Sequence, residues 1–137
     1  MALVLDTGPL LAGLDAADPD HERCARLLRS TSEQLVVPAL VIAELDYWCH
    51  ERLGVSAWLS FLEDLLDGAY LMESCTQADL GRCAELQRTY REHAVGVVDA
   101  SVLAVIERLG ETKLATLDHR HFAMLHPRHT EALELLP

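Results

Sequence analysis

The chain has 137 residues, of which 50% are hydrophobic, and this composition predicts one folded domain over residues 1–137. No apolar run approaches the roughly 20 residues that cross a bilayer, so we expect a cytoplasmic protein with no membrane partner. The formal net charge of −11 argues against general nucleic-acid binding through a basic face. It leaves open an enzyme that reaches phosphates through a divalent metal, and it favours a basic partner.

The first half of the chain alternates short apolar runs with helical patterns. The predicted strands are residues 2–5, 35–37 and 69–72. Thr7-Gly8-Pro9 is predicted to turn the chain after the first strand. Asp18 and Pro19 are predicted as the N-cap and first position of a helix. The predicted helices are residues 10–13, 20–30, 38–53 and 55–67.

In the second half, Thr76 and Asp79 resemble a capping box that opens a helix reaching about residue 92. Two strands flanking a buried helix are predicted next, and residues 131–136 suggest a final edge strand. The strands are residues 95–98 and 113–117, and the helix is residues 100–109, ending at Gly110. This alternation predicts a three-layer α/β/α fold, with a parallel sheet covered by helices on both faces.

Four acids stand in apolar surroundings: Asp6, Glu44, Asp99 and Asp118. Three of them end predicted strands, and Glu44 interrupts an apolar helix. Because ligands bind where parallel strands end, and because buried carboxylates are costly unless paired or bound to a cation, we predict one shared metal site. Mg²⁺ suits such oxygen ligands, with Mn²⁺ as a substitute. A metal in this site would activate water for phosphodiester hydrolysis, through one ion or two.

Each acid also has an ordinary structural interpretation. Asp99 could cap the helix that it opens, and Asp6 and Asp118 could be turn residues. Glu44 could extend its carboxylate to solvent. Four independent coincidences are less plausible than one site.

Hydroxyl side chains stand beside three of the acids, namely Thr7, Ser101 and Thr116. They are predicted to orient a carboxylate or a metal-bound water. The alternative is that they make ordinary turn and cap hydrogen bonds.

A segment rich in histidine and arginine follows Asp118 and is predicted to be a loop. It contains His119, Arg120, His121, His126, Arg128 and His129. The irregular spacing does not indicate a metal site. The segment forms either a basic lip that meets RNA phosphate, with Arg120 and His121 as candidate contacts, or a solvated loop.

Four segments together resemble the PIN domains, and among them the VapC toxins of bacterial VapBC toxin–antitoxin pairs. They are VLDTGPLLA, PALVIAELDY, VGVVDASVLAVIERLG and LATLDHRHF, spread over nearly the whole chain. The resemblance implies a parallel sheet of order 3-2-1-4-5 and a metal-dependent ribonuclease. Its acidic quartet would fall on Asp6, Glu44, Asp99 and Asp118.

The resemblance also implies a biological role and partners. Such toxins cleave structured RNA, such as tRNA or a ribosomal RNA loop, and so inhibit translation. They usually form homodimers, and a VapB-type antitoxin covers the active site with its C-terminal segment. The single lysine, Lys113, would leave RNA contacts to arginines and bound metal.

Three other protein classes share parts of the pattern. Asp6-Thr7-Gly8 is the signature of aspartic proteases, but their fold is nearly all β. Receiver domains need a late strand that ends in lysine, whereas Lys113 opens its predicted strand. A catalytically inactive PIN-like binding module is the remaining alternative, and the intact quartet argues against it.

Overall fold

The structure, a computed structural model, describes residues 1–137 and is built on a parallel sheet. The strands are β1 (Ala2–Leu5), β2 (Gln34–Pro38), β3 (Leu71–Glu73), β4 (Lys113–Ala115) and β5 (Glu134–Leu136). They form a five-stranded sheet in the order β3-β2-β1-β4-β5, and every pairing is parallel. This confirms the predicted sheet order and the α/β class.

Seven α-helices surround the sheet. They are α1 (Thr7–Leu14), α2 (His21–Ser30), α3 (Ala39–Arg52), α4 (Val55–Leu66), α5 (Gln77–Thr89), α6 (Val97–Leu109) and α7 (His119–Met124). A 3-10 turn at Arg91–His93 follows α5. No helix combines the length and apolar character needed to cross a membrane.

The core is centred on β1 and α6. All four residues of β1 are buried because β1 is the middle strand, and every residue from Ala100 to Ile106 is buried in α6. Helix α6 packs against α3 and α5 and also contacts β1 and β2. The prediction of a buried helix is therefore confirmed, as is its end at Gly110, whose φ of 68° is the left-handed conformation that glycine adopts readily.

The predicted strand at residues 95–98 is wrong. Gly96 is the N-cap of α6, and Val97 and Val98 form its first turn together with Asp99. The apolar runs on the two sides of Asp99 are one continuous helical pattern, and a short apolar run cannot be assigned by periodicity alone. Asp99 therefore lies on a helix and not at the end of a strand.

Other predicted boundaries also shift. Thr7-Gly8-Pro9 forms the first turn of α1, where proline is tolerated because its missing N–H has no partner within the helix. Pro19 precedes α2, whose N-cap is Asp20. Helix α5 ends at Thr89, before the predicted end at residue 92. His119 and His121 lie in α7, not in a loop.

The predicted capping box at the start of α5 is confirmed. The Asp79 N–H donates to the Thr76 hydroxyl at 3.0 Å, and the Thr76 N–H donates to the Asp79 carboxylate at 3.0 Å. This reciprocal pair satisfies backbone donors that a helix start leaves without partners.

Candidate metal centre

Asp6 is the most buried of the four acids. It follows β1 directly, is 7% exposed, and its N–H donates to the Ala115 carbonyl at 2.9 Å, extending the pairing of β1 with β4. Burial raises the pKa of Asp6 to about 6, and the negative charges of Asp99 and Glu44 act in the same direction. Hydrogen bonds from the Thr7 backbone and the Thr116 hydroxyl oppose this rise.

Asp99 projects from the first turn of α6 and is partly buried. Burial raises its pKa, His121 lowers it, and the charges of Glu44 and Asp118 raise it further. Asp99 thus interacts electrostatically with all three other acids, since it also raises the pKa of Asp6. The structure brings the charges of the quartet together even though Asp99 comes from a helix.

Glu44 and Asp118 complete the group from two further helices. Glu44 lies in the second turn of α3 and is half-buried. Asp118 is the N-cap of α7, and its Oδ1 accepts a hydrogen bond from the His121 N–H at 3.2 Å. Asp118 is exposed and is the most accessible of the four acids to a large substrate.

Thr116 connects two of the acids. Its buried hydroxyl donates to Asp6 Oδ2 at 2.9 Å and accepts from the Asp118 N–H at 3.1 Å. Both the donor and an acceptor position of this hydroxyl are therefore used. Thr116 orients the Asp6 carboxylate and fixes the chain at Asp118.

The other two predicted hydroxyls differ from each other. Thr7 Oγ1 is buried beside Asp6 and has no hydrogen-bond partner. Ser101 Oγ donates to the Val98 carbonyl at 2.6 Å, a local bond within the start of α6. Ser101 therefore makes an ordinary hydrogen bond to the helix backbone and does not orient an acid. Thr7, by contrast, keeps a free hydroxyl next to Asp6.

The two candidate RNA contacts also differ in their surroundings. His121 is half-buried, and its Nε2 lies 3.3 Å from Asp99 Oδ2, although the angles do not form a hydrogen bond. Arg120 is exposed and makes no ion pair in this structure. Arg120 is thus open to solvent, whereas the His121 ring faces Asp99.

The acids fit a hard divalent cation by their chemistry. No three Asp, Glu, His or Cys side chains are already arranged to enclose a metal ion. Mg²⁺ does not require such a cage, because one or two carboxylates, several waters and substrate phosphate usually hold it. Carboxylates that raise one another's pKa and a buried hydroxyl without a partner, Thr7 Oγ1, are suitable groups for such an ion.

A cavity of about 310 Å³ opens beside Asp118. Its walls are His93, Asp118, Arg120, His121 and Met124. Sequence reasoning did not identify His93, because it lies in a different segment from Asp118 and belongs to no motif. Only the folded chain brings the 3-10 turn alongside α7.

Comparisons with known proteins agree on one family. The family model described as the PIN domain matches residues 3–125. Ribonuclease VapC26 of Mycobacterium tuberculosis is 37% identical over 125 residues, which cover 91% of this chain and 93% of that protein.

Solved structures of low sequence identity share the fold. The crystal structure of Mycobacterium tuberculosis VapC20, described as a sarcin–ricin loop cleaving toxin, has a TM-score of 0.81 at 21% identity, covering 95% of this chain and 99% of that one. A toxin–antitoxin complex from Klebsiella pneumoniae has a TM-score of 0.67 at 18% identity, covering 91% and 92%.

Proposed function

This chain belongs to the PIN-domain family as a homologue of the VapC ribonucleases, and from that premise we propose that it is the endoribonuclease toxin of a toxin–antitoxin pair. We propose structured RNA, such as tRNA or a ribosomal RNA loop, as its substrate, and inhibition of translation as the result. The observation that carries the proposal is the group of four carboxylates whose charges act on one another around the buried Asp6.

The proposed catalytic group would hold Mg²⁺, or Mn²⁺ in its place, through Asp6, Glu44, Asp99 and Asp118. When bound, the metal would lower the pKa of a water molecule and neutralise charge on the phosphate. The task of the chain is to keep the carboxylates ionised and oriented. Thr116 serves this task at Asp6, because its hydrogen bond favours the charged form of that carboxylate.

The proposed protein partner is a VapB-type antitoxin. A structural neighbour is a toxin–antitoxin complex, which supports a partner of this kind. The net charge of −11 supports a basic inhibitory segment, since opposite charges favour association with a site rich in carboxylates. We also propose that the toxin is a homodimer.

The proposed activity is tested by incubating total bacterial RNA with the purified protein in Mg²⁺ or Mn²⁺. Asp99→Asn keeps the shape of the side chain but removes its charge, and should abolish cleavage without unfolding the protein. Asp67→Asn, at an exposed position after α4, is the matched control and should cleave normally. Discrete fragments that disappear with EDTA and with Asp99→Asn are expected, and their ends would identify the RNA target.

Three outcomes contradict the proposal. Cleavage by Asp99→Asn at the wild-type rate would show that Asp99 does not belong to the catalytic group. Cleavage in the presence of EDTA would show that the reaction does not need a metal. Absence of cleavage by a folded protein free of antitoxin would favour the alternative, a catalytically inactive PIN-like binding module.

A further inference from the structure

We propose that His93 and Arg120 together bind a phosphate of the RNA strand beside the acids, so that the strand reaches the site through the cavity between the 3-10 turn and α7. The inference rests on the proposed ribonuclease function and deepens it, because it names the residues that hold the substrate. The ligand is the phosphate of a polyribonucleotide, recognised by its charge and oxygen acceptors.

The position of the cavity is the first argument. It has a volume of about 310 Å³, and its walls come from two separate segments. His93 stands on one side, and Arg120 lies on the side formed by α7 together with Asp118. A group bound between His93 and Arg120 is therefore next to an acid of the quartet.

The charge of the cavity is the second argument. Arg120 is the one arginine that lines the cavity, and two histidines, His93 and His121, line it as well. Neither His93 nor Arg120 makes an ion pair, and both are exposed. A phosphate would be repelled by the neighbouring carboxylates. Of the side chains that line the cavity, Arg120 carries the opposite charge and His93 offers an exposed N–H donor, whereas the His121 ring faces Asp99.

The rigidity of the 3-10 turn is the third argument. The Tyr90 hydroxyl accepts a hydrogen bond from the His126 N–H at 3.0 Å, which ties the start of the turn to the segment after α7. The Gln87 side chain donates to the Val95 carbonyl at 3.1 Å and closes the other end. Ala94 has a φ of 50°, a conformation that non-glycine residues seldom adopt and that the surrounding bonds must maintain. The backbone that carries His93 is thus held in place before a ligand arrives, which lowers the entropic cost of binding.

The side-chain chemistry suits phosphate oxygens. The guanidinium of Arg120 presents several N–H donors in a planar fork that matches phosphate. A histidine ring carries an N–H donor in both its neutral and its charged form, so His93 can donate whether or not it is protonated. Neither residue reads base identity in this arrangement, so their contribution should be similar for different RNA sequences.

The test measures binding separately from cleavage. In the Asp99→Asn protein with Mg²⁺, the affinity for a fluorescently labelled single-stranded RNA of mixed sequence is measured by anisotropy at several salt concentrations. Adding His93→Ala or Arg120→Ala should weaken binding about tenfold each, as expected for a hydrogen bond to a charged group. Arg120→Ala should also reduce the slope of log affinity against log salt by about 0.7.

Matched controls are His50→Ala and Arg26→Ala, which remove the same residue types at exposed positions on α3 and α2. Both controls should bind RNA like the parent protein, and all variants should keep its melting temperature. Unchanged affinity in His93→Ala and Arg120→Ala would overturn the inference. So would an equal loss in Arg26→Ala, since the effect would then reflect overall charge.

Cleavage kinetics distinguish this inference from the proposed function. In the protein with Asp99 intact, His93→Ala should raise KM about tenfold and change kcat less, because a substrate contact away from the reacting bond is lost. If the parent protein cleaves RNA with metal and His93→Ala has an unchanged KM, the inference alone fails. If the parent protein does not cleave RNA, the proposed function fails, and the anisotropy measurement still decides whether these two side chains bind RNA.

Discussion

His121 contacts two acids of the quartet at once, by its side chain and by its backbone. Nε2 of His121 lies 3.3 Å from Asp99 Oδ2, and the backbone N–H donates to Asp118 Oδ1 at 3.2 Å. The first turn of α7 therefore links carboxylates that come from separate parts of the chain. We infer that His121 positions both acids, whereas its predicted contact with RNA stays a prediction.

Replacing His121 should change how cleavage depends on pH. Burial raises the pKa of Asp99 and His121 opposes that rise, so His121→Ala should raise the Asp99 pKa further. The acid side of the profile of kcat/KM against pH, measured with Mg²⁺, should therefore move to higher pH. His126→Ala removes an exposed histidine from the same region and should leave the profile in place. An unmoved profile in His121→Ala would show that the contact with Asp99 has no electrostatic effect.

Thr116→Val should weaken both the fold and the site, because valine has the same shape without the hydroxyl. The change removes a buried donor to Asp6 and the acceptor of the Asp118 N–H. The free energy of unfolding in urea should fall by about 1–3 kcal/mol, the usual cost of leaving buried partners unsatisfied. Thr89→Val, at an exposed position in the last turn of α5, is the control and should unfold like the wild type. Equal stability of the two variants would mean that the Thr116 bonds contribute nothing.

Apolar runs in the sequence predicted the five strands of the sheet, but they also predicted a sixth strand at residues 95–98 that is absent, and the metal-binding role of the four acids stays a prediction. The apolar run ending at Asp6 is a strand in the structure, and so are the first three residues, 113–115, of the strand predicted at 113–117, since β-strands buried on both faces are continuously apolar. Asp99 shows where this reasoning failed, because its apolar neighbours belong to a helix. The acid still reaches the site, since α6 begins at the edge of the sheet where β1 and β4 end.

The contacts between distant segments could not be predicted from sequence patterns. Local signals such as the Thr76 capping box depend on neighbours three residues apart, so the sequence contains them. The proximity of His93 to Arg120, by contrast, depends on how α5 packs against the rest of the fold. No periodicity reports such a contact.

Asp79→Asn should destabilise the fold without touching the candidate site. Burial raises the pKa of Asp79, but hydrogen bonds from Arg108 and Thr76 outweigh it and hold the pKa below its ordinary value. The ionised carboxylate therefore contributes stability above the unfolded-state pKa, and that contribution is lost as the pH falls through the folded-state pKa. At pH 7 the free energy of unfolding should fall by about 1–3 kcal/mol, and the difference from wild type should narrow below about pH 4. Asp67→Asn, at an exposed acid, should show no such loss.

Asp6→Asn should stabilise the metal-free protein at neutral pH while it abolishes cleavage. Because the pKa of Asp6 is about 6 in the folded chain against 3.8 ordinarily, ionisation of this group opposes folding. Protonation of Asp6 therefore favours the folded state; this contribution to stability is complete below about pH 4 and is lost as the pH rises through about 6. A shift of about two units corresponds to roughly 3 kcal/mol, an upper limit because the asparagine amide also needs hydrogen-bond partners.

The measurement is the free energy of unfolding in urea for Asp6→Asn and wild type at pH 4 and pH 8, with and without Mg²⁺. Without metal, the stability of Asp6→Asn relative to wild type should increase from pH 4 to pH 8, because only the wild type acquires the buried charge. Mg²⁺ should reduce this advantage at pH 8 by stabilising the wild type, since a ligand that binds only the folded state favours folding. A stability difference between the two proteins that does not vary with pH would mean that burial and the neighbouring charges do not raise the pKa of Asp6. If the stability difference between the two proteins depends on pH but does not change with Mg²⁺, Asp6 ionises in its buried position but is not a metal ligand.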